Sequence, residues 1–480
     1  MVSGNLTAGQ SPIVFGTSGW RAVIADQFTF DHVELVARAI AEYLDAQAGG
    51  DGPVIVGYDT RFLADRFAGR AADALAATGR RVLLADRDVP TPVVAHAILR
   101  QRAAGGVNLT ASHNPPEYCG VKFSPSWGGP AQPADTRWIE ARIAQLRQGG
   151  TGSFKAARAG SVERFDPREP YLAHVRTLID FKAVRAARLR VAADVLYGTG
   201  RGYLDALLAD AGCEVTVRHD WLDPLFGGGA PDPSERRLAE LASAVREGGY
   251  HLGLATDGDA DRFGVVDADG AYVTANEVLA LVLDYLIRTR DVKGGVARSV
   301  ATSHLADAVA ARYGRTVYET GVGFKYIGRL IADGKLVAGG EEAQGLTIGG
   351  HVPDKDGILT CLLLAEMVAR TGKTLRRQLE ELIAQVGPRH YRRSDFAAPA
   401  GGAGPLNARL GRLTRIGDRP IVRTAEVEGV RKWYFDEATW MIIRPSGTEP
   451  VVRLYVESPS LEQAESLLKA GQAVIAECAA

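Results

Sequence analysis

Four short segments of this 480-residue chain carry the residue types that phosphate and sugar chemistry needs. In the first, Ser112, His113 and Asn114 precede the proline pair Pro115 and Pro116, with Lys122 just beyond. An apolar approach through Val107 and Leu109 puts this segment in a loop at the carboxyl end of a strand, the edge of an open α/β sheet where ligands bind. The prolines stiffen the loop around Ser112, although Asn and Pro are also common in plain turns. The surroundings of Ser112 do not match the G-x-S-x-G nucleophile elbow, which argues against a serine hydrolase.

In the second segment an apolar strand, Leu252 to Thr256, runs into Asp257, Asp259 and Asp261, followed by Arg262. Clustered carboxylates repel one another unless a cation is present, and hard oxygen ligands at this density suit Mg²⁺ or Ca²⁺ better than zinc. An EF-hand loop would need glycine sixth and glutamate twelfth, and this chain has Arg262 and Ala268 there. A solvated acidic turn is the plainer alternative. The third segment is a glycine-rich stretch with Glu341, Glu342, His351 and Lys355, groups that could bond several sugar hydroxyls or simply occupy a turn. The fourth brings Arg444, Ser446, Gly447, Thr448 and Arg453 around one tight turn. Guanidinium forks match phosphate oxygens bidentately, and hydroxyls and amides complete such a shell. An ordinary Ser-Gly-Thr turn beside two arginines is the alternative. Each segment is ambiguous alone. Together, a nucleophilic serine, a carboxylate metal site, a polyol-reading loop and a phosphate clamp are the parts needed to move phosphate on a sugar.

The elements that must position these groups repeat. An apolar strand, a helix, a glycine and a second apolar strand occur three times: 53–58 with a helix over 64–78, Gly79 and 81–85; 189–194 with a helix over 203–210, Gly212 and 213–217; 296–301 with a helix over 305–313, Gly314 and 316–318. Near-continuous apolar strands alternating with helices indicate βαβ units in mostly parallel sheets, and each glycine suits a left-handed helix cap. A single large α/β fold is the alternative to three domains. Linkers at 149–153, at Gly387 and Pro388, and over 397–404 precede a segment of different rhythm, with strands over 440–444 and 451–456 and a helix over 461–477. The expected domains are therefore 1–155, 156–270, 271–387 and 388–480, one functional segment in each, with a hinge near Gly387.

Composition narrows the partners. A formal net charge of -1 provides no long-range attraction for nucleic acid or an anionic membrane. Four scattered cysteines, Cys119, Cys213, Cys361 and Cys478, without a C-x-x-C pair suggest reduced thiols rather than zinc or a disulfide framework. The N-terminus lacks a basic region followed by an apolar one, and the longest apolar helical stretch, near 278–287, is too short for a bilayer. A cytoplasmic protein, monomeric or weakly self-associating, is expected.

In this order and wording the four segments, together with Phe15 to Arg21, resemble the α-D-phosphohexomutase superfamily along essentially the whole chain. The resemblance implies three related α/β domains with mixed, mostly parallel sheets and a C-terminal α+β domain around a central cleft. It implies that Ser112 is phosphorylated in the active enzyme and that Asp257, Asp259 and Asp261, with the phosphoserine, hold Mg²⁺. Arg21, His113, Lys122 and Arg262 would surround the transferring phosphoryl group, Glu341 and His351 would meet the sugar, and Arg444, Ser446, Gly447, Thr448 and Arg453 would hold the other phosphate. Lys122 is the candidate general base, with Lys355 serving the opposite substrate orientation; either needs a depressed pKa, which nearby cations could supply. A hexose 1,6-bisphosphate is the implied intermediate and activator. Two departures stand out: Ala343 where a serine is frequent, and Ala260 where glycine is usual. The wording lies nearer phosphoglucomutases of bacterial type than phosphoglucosamine mutases, so glucose phosphate is expected, with mannose phosphate next. A phosphatase would not need the distant clamp, and a silent sensor would be expected to lack Ser112 or an aspartate.

Overall fold

In a computed structural model of the chain, residues 13–47, 51–149, 160–398, 403–446 and 451–479 are described. The three repeats are three copies of one arrangement. In the first, Val54–Tyr58 pairs in parallel with Arg81–Ala85 on one side and Gly105–Leu109 on the other, and Gly105–Leu109 pairs antiparallel with Tyr118–Pro125. In the second, Arg190–Asp194 is flanked in parallel by Glu214–Arg218 and Leu252–Thr256, and the latter turns back into Phe263–Asp267. In the third, Gly295–Ser299 is flanked in parallel by Val317–Thr320 and Leu336–Glu341, which turns back into Gly345–Ile348. The helices Ala64–Ala77, Leu204–Asp210 and Leu305–Arg312 connect the first two strands of each copy, and Gly79, Gly212 and Gly314 all take positive φ after them.

The first sheet carries two further strands. Trp20–Val23 pairs antiparallel with Tyr118–Pro125, and Ser161–Phe165 pairs in parallel with Arg81–Ala85. The latter lies beyond the boundary expected at residue 155, so the first sheet extends past the glycine-rich linker. Its sequence gives little warning, because an edge strand with almost wholly exposed side chains has no apolar run.

Domain IV differs. His390–Ala397, Val451–Ser458, Trp440–Pro445, Val430–Tyr434 and Arg423–Val427 form an all-antiparallel sheet in that order. Alternation gives it two apolar faces. Trp433, Met441, Ile443, Leu454 and Val456 pack with Leu467 and Ile475 of the helix Leu461–Ala479, whereas Tyr434, Trp440, Ile442 and Tyr455 pack on Val300 and Ala301 of domain III. On that second face Lys432 is fully buried, donating to Val300 O (3.0 Å) and pairing with Glu319 (3.1 Å). Domains II and III share one continuous core, built around the helices Ala275–Thr289 and Gly357–Thr371. The first sheet and domain IV keep cores of their own. No described helix is long and apolar enough to cross a membrane.

Candidate active site

In each α/β copy the third strand turns back into the fourth, and the three equivalent turns, 110–117, 257–262 and 342–344, carry Ser112 and His113, the three aspartates with Arg262, and Glu342. Each turn has one non-glycine residue in the left-handed region: Ser112 (φ +52°), Ala260 (φ +55°) and Gln344 (φ +63°). Such residues cost about 1–2 kcal/mol relative to ordinary backbone, so neighbouring contacts must hold them. The turns meet. Ser112 Oγ donates to Asp257 Oδ2 (2.7 Å), Thr91 N to Asp259 O (2.9 Å), and Phe263 N to Gln344 O (3.3 Å).

Asp257, Asp259 and Asp261 are fully buried, and each offers a carboxylate oxygen within 4.8 Å of the others. Asp259 Oδ1 and Asp261 Oδ1 are buried and accept no hydrogen bond from any described residue. Two orphaned anionic oxygens beside a third carboxylate make a donor set that fits a hard divalent cation. Burial, followed by the repulsion of Asp259 and Asp261, pushes the Asp257 carboxyl far above the usual range. Burial acts the same way on Asp259 and Asp261, but the attractions and hydrogen bonds set against it, led by Lys122 for both and joined by Lys355 at Asp261, together hold them low.

A cleft of about 330 Å³ opens beside Ser112. Arg21, His113, Arg262, Lys355 and Glu341 line it from domains I to III, and Arg444, Ser446 and Arg453 line it from domain IV. Ser112, Lys122 and the three aspartates lie behind that lining, Ser112 Oγ being 3.4 Å from His113 Nδ1. Burial first, and then Arg262, Arg21, Lys122 and Lys355, keep His113 neutral. Arg21 donates to Asn114 Oδ1 (2.6 Å), and Arg262 Nη1 lies 3.7 Å from Asp232. Glu341 accepts from Gly323 N (2.7 Å), and burial beside Glu342 pushes its carboxyl up to about 7. Alternation along Trp440–Pro445 places Arg444 on the face of Trp440 and Ile442, so the apolar end of that face seats domain IV and its polar end reaches the cleft. Gly447 and Thr448 lie outside the described residues.

Two expectations change. Lys122 was expected to be depressed by neighbouring cations, yet its ammonium donates to Asp259 Oδ2 (2.5 Å) and Asp261 Oδ2 (2.6 Å). Burial works against its charge, but these two carboxylates outweigh burial and raise its pKa, so this arrangement favours the charged ammonium and not the depressed pKa that a lysine base needs. Lys355 shares the same oxygen, Asp261 Oδ2, at 2.7 Å. His351 does not line the cleft. Its Nε2 bonds Asp356 Oδ2 (2.7 Å) and its Nδ1 faces His174 Nε2 (3.0 Å), in a stack that continues to His96. Asp356, which caps the helix Gly357–Thr371 through Leu359 N, thus draws His351 away from the cleft.

Glu342, the second acid of the third segment, also lines the cleft and accepts from Ser299 Oγ (2.9 Å) and Thr302 Oγ1 (3.1 Å). Arg393 joins the domain IV wall while paired with Asp395 (2.9 Å). It stands among arginines on a strand remote in sequence from the clamp, and nothing local marks it.

Sequence models of the phosphoglucomutase/phosphomannomutase alpha/beta/alpha domains I, II and III match residues 12–149, 169–270 and 274–386, and the model of the C-terminal domain matches 406–470. A phosphoglucomutase of Komagataeibacter xylinus is 32% identical, covering 93% of this chain and 87% of its own. The chain belongs to the phosphoglucomutase/phosphomannomutase family. Other family members are similar along their full length. A probable phosphoglucosamine mutase of Methanopyrus kandleri is 32% identical over 94% of this chain and 95% of its own. The crystal structure of a candidate phosphomannomutase from Thermus thermophilus superposes with a TM-score of 0.81, at 35% identity, covering 97% of this chain and 99% of that one.

Proposed function

We propose that this chain is a phosphohexomutase that interconverts hexose 1-phosphate and hexose 6-phosphate through phosphorylated Ser112. One observation carries the reading: Ser112 Oγ bonds Asp257, within a carboxylate triad that five basic side chains surround, beside a cleft whose far wall carries Arg444 and Arg453. A serine hydroxyl, clustered cations and a second anion site at a distance serve a substrate with two phosphorylated positions.

Asp257, Asp259 and Asp261 would hold Mg²⁺. When bound, the ion neutralises charge on the transferring phosphoryl group. The chain's own residues do the rest. Arg21, Arg262, Lys122 and Lys355 supply positive charge at the phosphoryl group, neutral His113 adjoins Ser112 Oγ, and Glu341 takes sugar hydroxyls. Arg444, Ser446 and Arg453, with Gly447 and Thr448, hold the non-reacting phosphate. A sugar hydroxyl attacks phosphorus on phospho-Ser112, the phosphorus–Oγ bond breaks, and the proton lost by the attacking hydroxyl is balanced by one gained at Ser112 Oγ, which returns as the free serine hydroxyl. The hexose 1,6-bisphosphate then turns over in the cleft and returns its other phosphate to Ser112. Such transfer is mostly positioning and charge neutralisation, which suits a site with several fixed cations.

Glucose phosphate is the preferred substrate on motif wording. Mannose phosphate is the second reading, favoured by the 35%-identical Thermus thermophilus structure; Ala343, which lines the cleft where a hydroxyl contact is frequent, bears on substrate identity without choosing between the two sugars. The test is turnover with Mg²⁺ and a trace of glucose 1,6-bisphosphate, comparing glucose 1-phosphate with mannose 1-phosphate, with Ser112→Ala alongside. Conversion to the 6-phosphate with a loss of about 10³-fold or more in Ser112→Ala is expected. Free phosphate without isomer, or full activity in the variant, would overturn the reading.

A further inference from the structure

We propose that Arg61, a residue that does not itself line the cleft, is the positioning residue for the Ser112 turn. The proposal rests on Ser112 being the phosphoryl carrier. Arg61 follows the strand Val54–Tyr58, and its side chain is wholly buried. All five guanidinium hydrogens are used. Nε donates to Asp59 Oδ2 (3.0 Å), Nη1 to Pro115 O (2.7 Å) and Tyr118 O (2.8 Å), and Nη2 to Ser112 O (2.7 Å) and Asn114 O (2.6 Å). One cation therefore gathers three carbonyls of a single turn and that of Tyr118, the first residue of the strand after it.

The other side of the turn is tied to the same anchor. Asp59 Oδ2 also accepts from Thr110 Oγ1 (2.6 Å), and Thr110 Oγ1 in turn accepts from Ser112 N (2.8 Å). Ser112 is thus held through its amide by Thr110 and through its carbonyl by Arg61. This clamp maintains its left-handed φ of +52°, a conformation serine does not favour. The guanidinium also lies 5.0 Å from the centroid of the Phe226 ring, which belongs to domain II, so the anchor is packed from the side of the domain that supplies the carboxylates.

The consequence is geometric and electrostatic. A carbonyl engaged by Arg61 cannot turn its negative end towards a phosphoryl group on Ser112. Lysine cannot replace this fork, because one ammonium cannot span four carbonyls and a carboxylate. A displacement of about 1 Å at a reacting atom costs on the order of 100-fold in rate. Loss of Arg61 should therefore slow transfer to and from Ser112 while leaving sugar phosphate binding nearly intact.

The experiment uses the full chain with Mg²⁺, comparing native protein with Arg61→Lys, Arg61→Ala and Ser112→Ala. Each is mixed with radiolabelled glucose 1,6-bisphosphate, and label on Ser112 is followed by peptide mapping, beside kcat, KM for glucose 1-phosphate and the thermal midpoint. Native protein should label and Ser112→Ala should not. Arg61→Lys should label about 100-fold more slowly at near-native KM. Free guanidinium ion should restore the Arg61→Ala rate at least roughly tenfold and do nothing for Ser112→Ala. If native protein labels and the Arg61 variants label within about threefold of it, the inference fails while the function stands. A loss that only follows the unfolded fraction, with no rescue by guanidinium, also overturns it; if Arg61→Ala does not fold, Arg61→Lys decides. Absence of label on native Ser112 takes down the functional reading and this inference together.

Discussion

The turns at Ser112 and at Asp257 close the same hairpin in two copies of one fold, yet they are held in opposite ways. Behind the first, one buried guanidinium collects backbone carbonyls, leaving His113 and Asn114 to line the cleft. In the second, the carbonyls go to backbone amides of neighbouring elements: Thr199 N to Gly258 O (3.0 Å), Thr91 N to Asp259 O (2.9 Å) and Gly357 N to Ala260 O (3.1 Å). Its cations, Lys122 and Lys355, bind the carboxylates instead. The difference follows from charge. A turn whose working group is a neutral hydroxyl can be anchored by a cation at its backbone. A turn with three carboxylates draws the two nearby lysines to its side chains, and its backbone finds neutral donors. The third turn is the shortest, and its acid, Glu341, is fixed by a backbone amide from the loop at Gly323.

The sharpest test of this contrast is Asp261→Asn. Asp261 Oδ2 receives both Lys122 and Lys355, and Oδ1 is one of the two orphaned oxygens. The neutral amide should weaken Mg²⁺ binding about 100-fold, measured by calorimetric titration, with a comparable fall in turnover at limiting metal. Mg²⁺ affinity unchanged within about threefold would mean that the second turn is a lysine anchor and not a metal site.

The contrast also explains what the sequence could reveal. The three α/β copies are legible because their strands are apolar along most of their length and a glycine closes each first helix. The working segments are legible because each is contiguous and follows a strand. What joins them is not. Lys122 lies 137 residues from Asp259; a lysine base needs nearby cations to depress its pKa, whereas the fold puts carboxylates nearest to it. Arg61 follows Asp59 and Thr60 directly after an apolar strand, a placement that hints at burial but says nothing of its four carbonyl partners. His351 shares a segment with Lys355, but the short-range bond to Asp356 turns it elsewhere.

A smaller effect separates the third turn from the other two. Glu341 is buried next to Glu342, and its carboxyl is pushed up to about 7 from 4.5. With the folded value above the unfolded one, folding favours the protonated acid. That contribution is complete below about 4.5 and is lost as pH rises through about 7. A glutamine amide at this position would imitate the protonated form while still accepting from Gly323 N. Glu341→Gln should therefore gain on the native chain as pH is raised from acid to alkaline, by about 3 kcal/mol once Glu341 is ionised. Urea midpoints of the metal-free protein on either side of neutrality measure this. A difference independent of pH would show that Glu341 already ionises freely in the folded chain.

The smallest effect concerns what the three turns share. Ala260 holds a left-handed φ of +55°, where Ser112 and Gln344 hold the same kind of conformation in the other copies. Glycine would relieve about 1–2 kcal/mol of backbone strain. Against that, glycine gives the unfolded chain more freedom, a loss of about 0.5–1 kcal/mol, and removes a fully buried methyl group worth about 0.8 kcal/mol. These terms nearly cancel, so Ala260→Gly should shift unfolding free energy by no more than about 1 kcal/mol, with Mg²⁺ binding unchanged. The cancellation accounts for an alanine at a position that the backbone alone would assign to glycine. A gain well above about 1 kcal/mol would mean that strain outweighs burial here, and that the second turn, like the first, is forced into shape by its surroundings.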